Sequence, residues 1–130
     1  MLIEEALFAK LTATTGVTNL VATRIYPLQA PQTDLDDYVT YERPSGAPYG
    51  QHGGPSGLTW ARMSYSCHSS RYANAKTAAK AIRDALDGFA GVAGSVQIGH
   101  CIAEEDADIG FDPETRRYVC AIDFHVQYYE

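Results

Sequence analysis

The chain has 130 residues, of which 45% are hydrophobic and 20% charged, the proportions of an ordinary globular domain. Ten Lys and Arg against sixteen Asp and Glu leave a formal net charge of -6. That excludes a surface built to grip phosphate, though not an acidic wall that DNA slides past.

MLIEEALFAKLTAT reads as a helix. Ile3, Leu7 and Leu11 fall four apart, Ala6 and Phe8 widen the apolar stripe, and Glu4 and Glu5 sit in the first turn, where the helix dipole favours negative charge. Gly16 is the expected stop. Asn19 to Val21 can add one more turn, and Arg24 to Leu28 a short strand that Pro27 confines to an edge. After the turn-rich APQTDLDD, YVTYERP alternates, with Tyr38, Thr40 and Glu42 on one face and Val39, Tyr41 and Arg43 on the other. RPSGAPYGQHGGPSGLTW follows, and its residues 46–57 are expected as a hairpin loop too long for a tight turn. In LTWARMSYSCH, Ala61, Met63, Tyr65 and Cys67 form the apolar face, while Arg62, Ser64 and Ser66 look outward beside Trp60.

SSRYANAKTAAKAIRDALDGFAG is a second amphipathic helix. Tyr72, Ala75, Ala79, Ile82, Leu86 and Phe89 make one face, Ser69 or Ser70 the start and Gly88 the end. SVQIGHCIAEEDAD reads as a strand, Val96, Ile98, His100 and Ile102 on one face, running into an acidic loop. FDPETR is a turn. In RRYVCAIDFHVQYYE both faces are partly apolar, which predicts a central strand. The sum is an α+β fold in one domain, residues 1–130: a mainly antiparallel sheet of four to five strands, two helices packed on one face, and a long hairpin loop between the second and third strands.

No active-site constellation emerges from the residues. Three cysteines, Cys67, Cys101 and Cys120, are an odd number and are expected as reduced, buried thiols. The Cys67-His68 and His100-Cys101 pairs are strand neighbours facing opposite ways, so neither ligates as a unit; no metal or cofactor is expected. Cys67, His100 and Asp123 can be drawn as a nucleophilic set, but no GxSxG elbow supports it. The Gly-rich stretch lacks the phosphate-loop spacings and precedes a strand, not a helix. The acidic AEEDAD is expected to be solvated. No segment has the ~20 apolar residues of a membrane span, and the acidic MLIEEALFAK lacks the apolar region of a signal peptide.

Three stretches resemble the small tail-completion proteins of long-tailed bacteriophages, the tail terminators and tail-to-head joining proteins. EEALFAKLTATTGVTNLVATRIYPLQAPQ looks like their opening helix, turn and RIYP strand. LTWARMSYSCHSSRYANAKTAAKAIRDALDGFAG is similar to their strand–helix unit, and DIGFDPETRRYVCAIDFHVQYYE to their closing turn and strand. The resemblance implies a non-enzymatic virion protein, made in the host cytoplasm and built into the tail or neck region. It implies a homo-oligomeric ring, typically a hexamer, at the head-proximal end of the tail. The partners implied are the major tail-tube protein, the head-completion or connector protein, and DNA passing through the bore without sequence-specific binding; no cofactor, metal or membrane is implied. Contact residues are then expected on loops and edges at Asp34, Asp36, Arg43, Tyr49, Gln51, His52, Trp60, Tyr128 and Tyr129. The nine tyrosines, Trp60 and the two-faced last strand offer the surface that a ring subunit needs on two unlike sides. The alternatives are a small binding or regulatory module using residues 46–57 as a lid, or a metal-dependent hydrolase drawing on Cys, His and acidic residues.

Overall fold

The computed structural model describes residues 2–29, 37–51 and 54–129, with the side chains of 48–51 and 54–56 outside that description. The first helix, α1 (Ile3–Thr12), buries Ile3, Ala6, Leu7 and Leu11, the stripe its spacing predicts. It stops before Gly16. Thr12 Oγ1 donates to the Phe8 carbonyl at 2.9 Å and Thr14 Oγ1 to that of Lys10 at 2.8 Å. Threonine hydroxyls therefore take the last carbonyls where a glycine was expected. Gly16 lies inside a second helix, α2 (Thr15–Val21), which buries Val17 and Val21; the extra turn expected at its end is only its last part.

The strands are β1 (Ile25–Pro27), β2 (Tyr38–Gln51), β3 (Gly54–Ser69), β4 (Gly91–Ala93), β5 (Val96–Asp112) and β6 (Arg117–Tyr129), with α3 (Tyr72–Leu86) between β3 and β4. Among the described residues they form one sheet in the order β1-β2-β3-β6-β5-β4. β1 is the expected edge strand but runs parallel to β2, so the sheet is mixed; the other pairings are antiparallel. Among the described residues, three helices and six strands replace the expected two and four to five, because α2 and β4 are too short to show a period. β4 is one arm of a tight hairpin turned through Gly94, whose φ of 58° suits glycine.

The expected long loop is the largest correction. β2 continues to Gln51 and β3 starts at Gly54, paired as Ser45–Arg62, Pro48–Thr59 and Gly50–Pro55. Register shifts between Glu42 and Ser45 and between Pro48 and Gly50 flank its prolines. Since β6 ends at Tyr129, opposite Leu58, the far part of this hairpin is a two-stranded arm extending past the sheet. The acidic loop is corrected in the same way: β5 runs through Glu104 and Glu105 to Asp112, paired along β6. A bulge between Ile98 and His100 breaks the expected alternation, so Cys101 is buried and Ile102 exposed.

α3 buries Ala75, Ala79, Ile82 and Leu86 as its period predicts, whereas Tyr72 stays exposed. Its N-cap is Arg71, with no side-chain cap; Ser69 Oγ instead accepts from the Arg71 N–H at 3.1 Å. Gly88, at φ 80°, lies just past its C-cap and donates to the Cys101 carbonyl at 2.7 Å. β6 is central, between β3 and β5. The helix-covered face sets Ala61, Met63, Tyr65 and Cys67 against Val126, Phe124, Ile122 and Cys120, with the Tyr65 ring edge-on to Phe124 at 5.9 Å.

Candidate assembly surfaces

On the other sheet face, strand alternation puts Trp60, Arg62, Ser64, Ser66 and His68 beside Asp123, His125 and Gln127. Opposed side chains on one sheet face stand close enough to pair. Trp60 stacks on His125 with ring centroids 5.5 Å apart, and His125 on His100 at 5.7 Å. Trp60 is thus half-buried in a ladder of rings. Arg62 Nη2 donates to Asp123 Oδ2 at 2.8 Å and lies 4.0 Å from Glu105 Oε2. Farther along, Tyr38 stacks on His68 at 4.5 Å, His68 Nε2 lies 3.0 Å from Thr40 Oγ1, and the Arg117 guanidinium stands over the Tyr38 ring. Burial, helped by the Arg117 charge, presses His68 down to a pKa of about 4, so it is neutral at pH 7.

The acids of β5 divide between the two faces. Asp106 and Asp108 turn toward α3: Arg83 Nη1 reaches Asp106 at 3.2 Å, while Tyr72 Oη and Lys76 Nζ donate to Asp108 at 2.6 and 3.0 Å. Tyr72 first, then Lys76, holds the Asp108 carboxyl below the usual carboxylate range. Glu105 lies instead beside Arg62, on the open face.

The two long hairpins turn at opposite ends of the sheet. The β2–β3 turn is at the end where Leu58 faces Tyr129, and the β5–β6 turn, residues 113–116, where Ser69 faces Tyr118. At the first end Arg43, Tyr128 and Tyr129 come together, lining a cleft of about 320 Å³ with Leu2, Ile3 and Val96. The Arg43 guanidinium lies where a Cβ on Gly46 would sit, so glycine there leaves it room. Tyr128 is buried toward the core and Tyr129 exposed. Trp60 stands apart, on the open face. Tyr49 and Gln51 are in β2 with side chains outside the described residues; Asp34, Asp36 and His52 lie outside the described residues altogether. At the second end is a cluster that sequence reasoning missed: Phe111 meets Tyr118 at 4.9 Å and Tyr118 meets Tyr72 at 5.9 Å, with Ile109 exposed nearby in the chain. Its signal was the pair of aromatics flanking the DPETRR turn at opposed positions.

The set drawn from Cys67, His100 and Asp123 does not assemble, since Cys67 is sealed on the covered face and Asp123 is on the open one. Burial pushes the Cys67 thiol up, and the Cys101 thiol up to about 12. Among the described residues no three of His, Cys, Asp and Glu gather as metal ligands. Two unlike ends and a ringed, polar sheet face are surfaces of the kind that structural assembly proteins use.

The chain belongs to the tail completion protein gp17 family, whose model matches residues 5–129. It is a structural protein of the bacteriophage virion, located in the tail. A chain from the solved structure "Virion of native gene transfer agent (GTA) particle" shares the fold, with a TM-score of 0.81 at 20% identity, over 98% of this chain and 95% of that one. No curated protein matches the sequence.

Proposed function

We propose that the chain, acting as one domain without catalysis, forms a hexameric ring at the head-proximal end of the tail tube. There it ends tube polymerisation and offers the head connector a docking face, with DNA passing through the bore. The observation that carries this reading is the tail-completion family match over residues 5–129. The ring's partners are further copies of the chain, the major tail-tube protein and the head-completion or connector protein. The net charge of -6 suits a bore that DNA must cross without sticking. Contacts are drawn from the arm, with Arg43 and the segment around Tyr49, Gln51 and His52, and from Asp34, Asp36, Trp60, Tyr128 and Tyr129. The lid of a small binding module is disfavoured, because most of residues 46–57 pair as strands.

Imaging intact particles tests the reading. A ring of this chain at the head-proximal end of the tail is expected, and its placement elsewhere, or as single copies, would overturn it. Deleting Pro48 to Gly54 should preserve the fold and impair joining or ring assembly; fully infectious particles from that deletion would make the arm dispensable.

A further inference from the structure

The sheet's two outer edges are finished differently. On β2 the covering strand β1 pairs only with Val39 to Tyr41. The rest of that edge contains Pro44 and Pro48, which have no N–H to offer a further strand. On β5 the covering strand β4 pairs only with Val96 to Ile98. The segment after α3 then takes its place: the Gly88 N–H donates to the Cys101 carbonyl at 2.7 Å, and the Ala103 N–H donates to Asp87 Oδ1 at 2.9 Å. From Glu104 to Phe111 no described residue bonds this outer backbone, and no proline interrupts it. Register with β6 runs unbroken from Glu105 to Asp108, between a bulge at Ala103/Glu105 and another at Asp108/Gly110. A row of unpaired N–H and C=O groups is a template for one more strand.

Beside this edge runs a groove along α3. Near Ala103 a cleft of about 400 Å³ is lined by four acids, Asp87, Glu104, Glu105 and Asp106, and one cation, Arg83. Arg83 is held by Asp106 at 3.2 Å. On the open face Arg62 lies 4.0 Å from Glu105 but pairs more closely with Asp123, and His125 Nδ1 lies 3.9 Å from Glu104. A second cleft, of about 260 Å³, shares Arg83 and Asp106. Charge is balanced there, since Lys76 pairs with Asp108 and Lys80 with Asp84. The surplus of acid is therefore at Glu104 and Glu105. Exposed Ile102 and Ile109 flank it along β5. Two such edges brought together would set acids against acids, which opposes pairing of one copy's β5 with another's. The same acids favour a strand of opposite charge. The β2 edge of a second copy does not provide one, with its two prolines and with Glu42 beside Arg43. We infer that the outer edge of β5, between Glu104 and Phe111, takes an added strand from a different protein, an extended segment with Lys or Arg opposite Glu104 and Glu105. This stands on the free edge and holds whether or not the copies close into a ring.

A titration of the full chain followed by nuclear magnetic resonance tests the inference, with a peptide of ~6 alternating Val and Lys residues, one strand long, as the probe. Binding should slow hydrogen exchange at alternate β5 amides between Glu104 and Phe111, those that point away from β6. The Val and Glu counterpart, and the Lys peptide N-methylated along its backbone, should each bind at least about tenfold more weakly. Glu104→Lys combined with Glu105→Lys should weaken the Lys peptide by a similar factor. Both positions are exposed, so this variant should melt with the unsubstituted chain. Equal binding of the N-methylated peptide would reduce the edge to a charged patch, and equal binding of the Glu peptide would remove the charge selection; either result overturns the inference. Unchanged exchange at millimolar Lys peptide would overturn it too. Protection of the same amides that grows with the chain's own concentration, without peptide, would make the occupant a second copy and overturn it as well.

Discussion

Strands β3 and β6 carry a dry face and a wet one, offset by a single residue. On the dry side Met63, Tyr65, Ile122 and Phe124 are sealed under the helices; on the wet side Arg62, Ser64, Asp123 and His125 stand half open. The dry side is held by packing, which is non-directional and scales with the apolar area removed from water. The wet side is held by register, since each ring stack or ion pair needs one particular neighbour across the strand. Stability should therefore reside in the first face, leaving the second free for partners. The largest expected effect is on Phe124, which is fully buried against Tyr65. Phe124→Ala should cost about 3–5 kcal/mol in urea unfolding. A cost below about 1 kcal/mol would mean that the helices do not hold the sheet.

The dry face contains two exceptions to its own rule. The hydroxyls of Thr59 and Tyr65 are buried with no hydrogen-bond partner among the described residues. A buried polar group left unmatched costs about 1–3 kcal/mol, so removing it without changing shape recovers some of that. Tyr65→Phe and Thr59→Val are each expected to raise stability by about 1 kcal/mol, read from the same denaturant curves. A loss in either would reveal that the hydroxyl finds a partner, and the dry face would be less uniform than drawn.

Periodicity made the dry face legible and the hairpins illegible. Ala61, Met63, Tyr65 and Cys67 alternate, and Ala75, Ala79, Ile82 and Leu86 recur on a helical face, because each element buries one side against the same core. The arm's sequence has no such period. Its pairing joins its own two halves as antiparallel strands, interrupted near the prolines, with no apolar period to announce them. The acidic strand misled for another reason. Its acids look solvated in sequence and are exposed in the fold, but they extend a strand where a loop was expected, and Asp106 and Asp108 also pair with α3 residues 23 to 36 positions away. Of the expected contact residues, Arg43, Tyr128 and Tyr129 meet at one cleft although they are far apart in the chain. Ile109 gave no signal, because an exposed apolar residue in an acidic stretch has no period to mark it; Phe111 was marked only by its place opposite Tyr118 across the turn.

His68, on the wet face near the Arg117 end, gives that face a pH signature. Its folded pKa lies near 4, below the ordinary 6.5. Between those values the unfolded chain binds the proton and the folded chain does not, so stability is complete above about pH 6.5 and falls as pH drops toward 4. His68→Gln should flatten that limb in a series of melts across pH 4 to 7. The same slope in both chains would show that other groups carry it and that His68 is more hydrated than its stack with Tyr38 implies.

The smallest effect separates the faces most sharply. Arg62 makes the shortest ion pair of the wet face, 2.8 Å to Asp123, but its side chain is 40% exposed. Exposed pairs gain little, because water and salt screen the attraction and two side chains must be held still. Arg62→Met keeps an apolar stem and removes the guanidinium with its ion pair and hydrogen bond, so its melting midpoint should match the parent's at both low and high salt. A salt-sensitive loss would place the pair among the elements that hold the fold. The division between a packed face and an open face would then have to be redrawn at Asp123, whose cross-strand neighbours are Ser64 and Glu105.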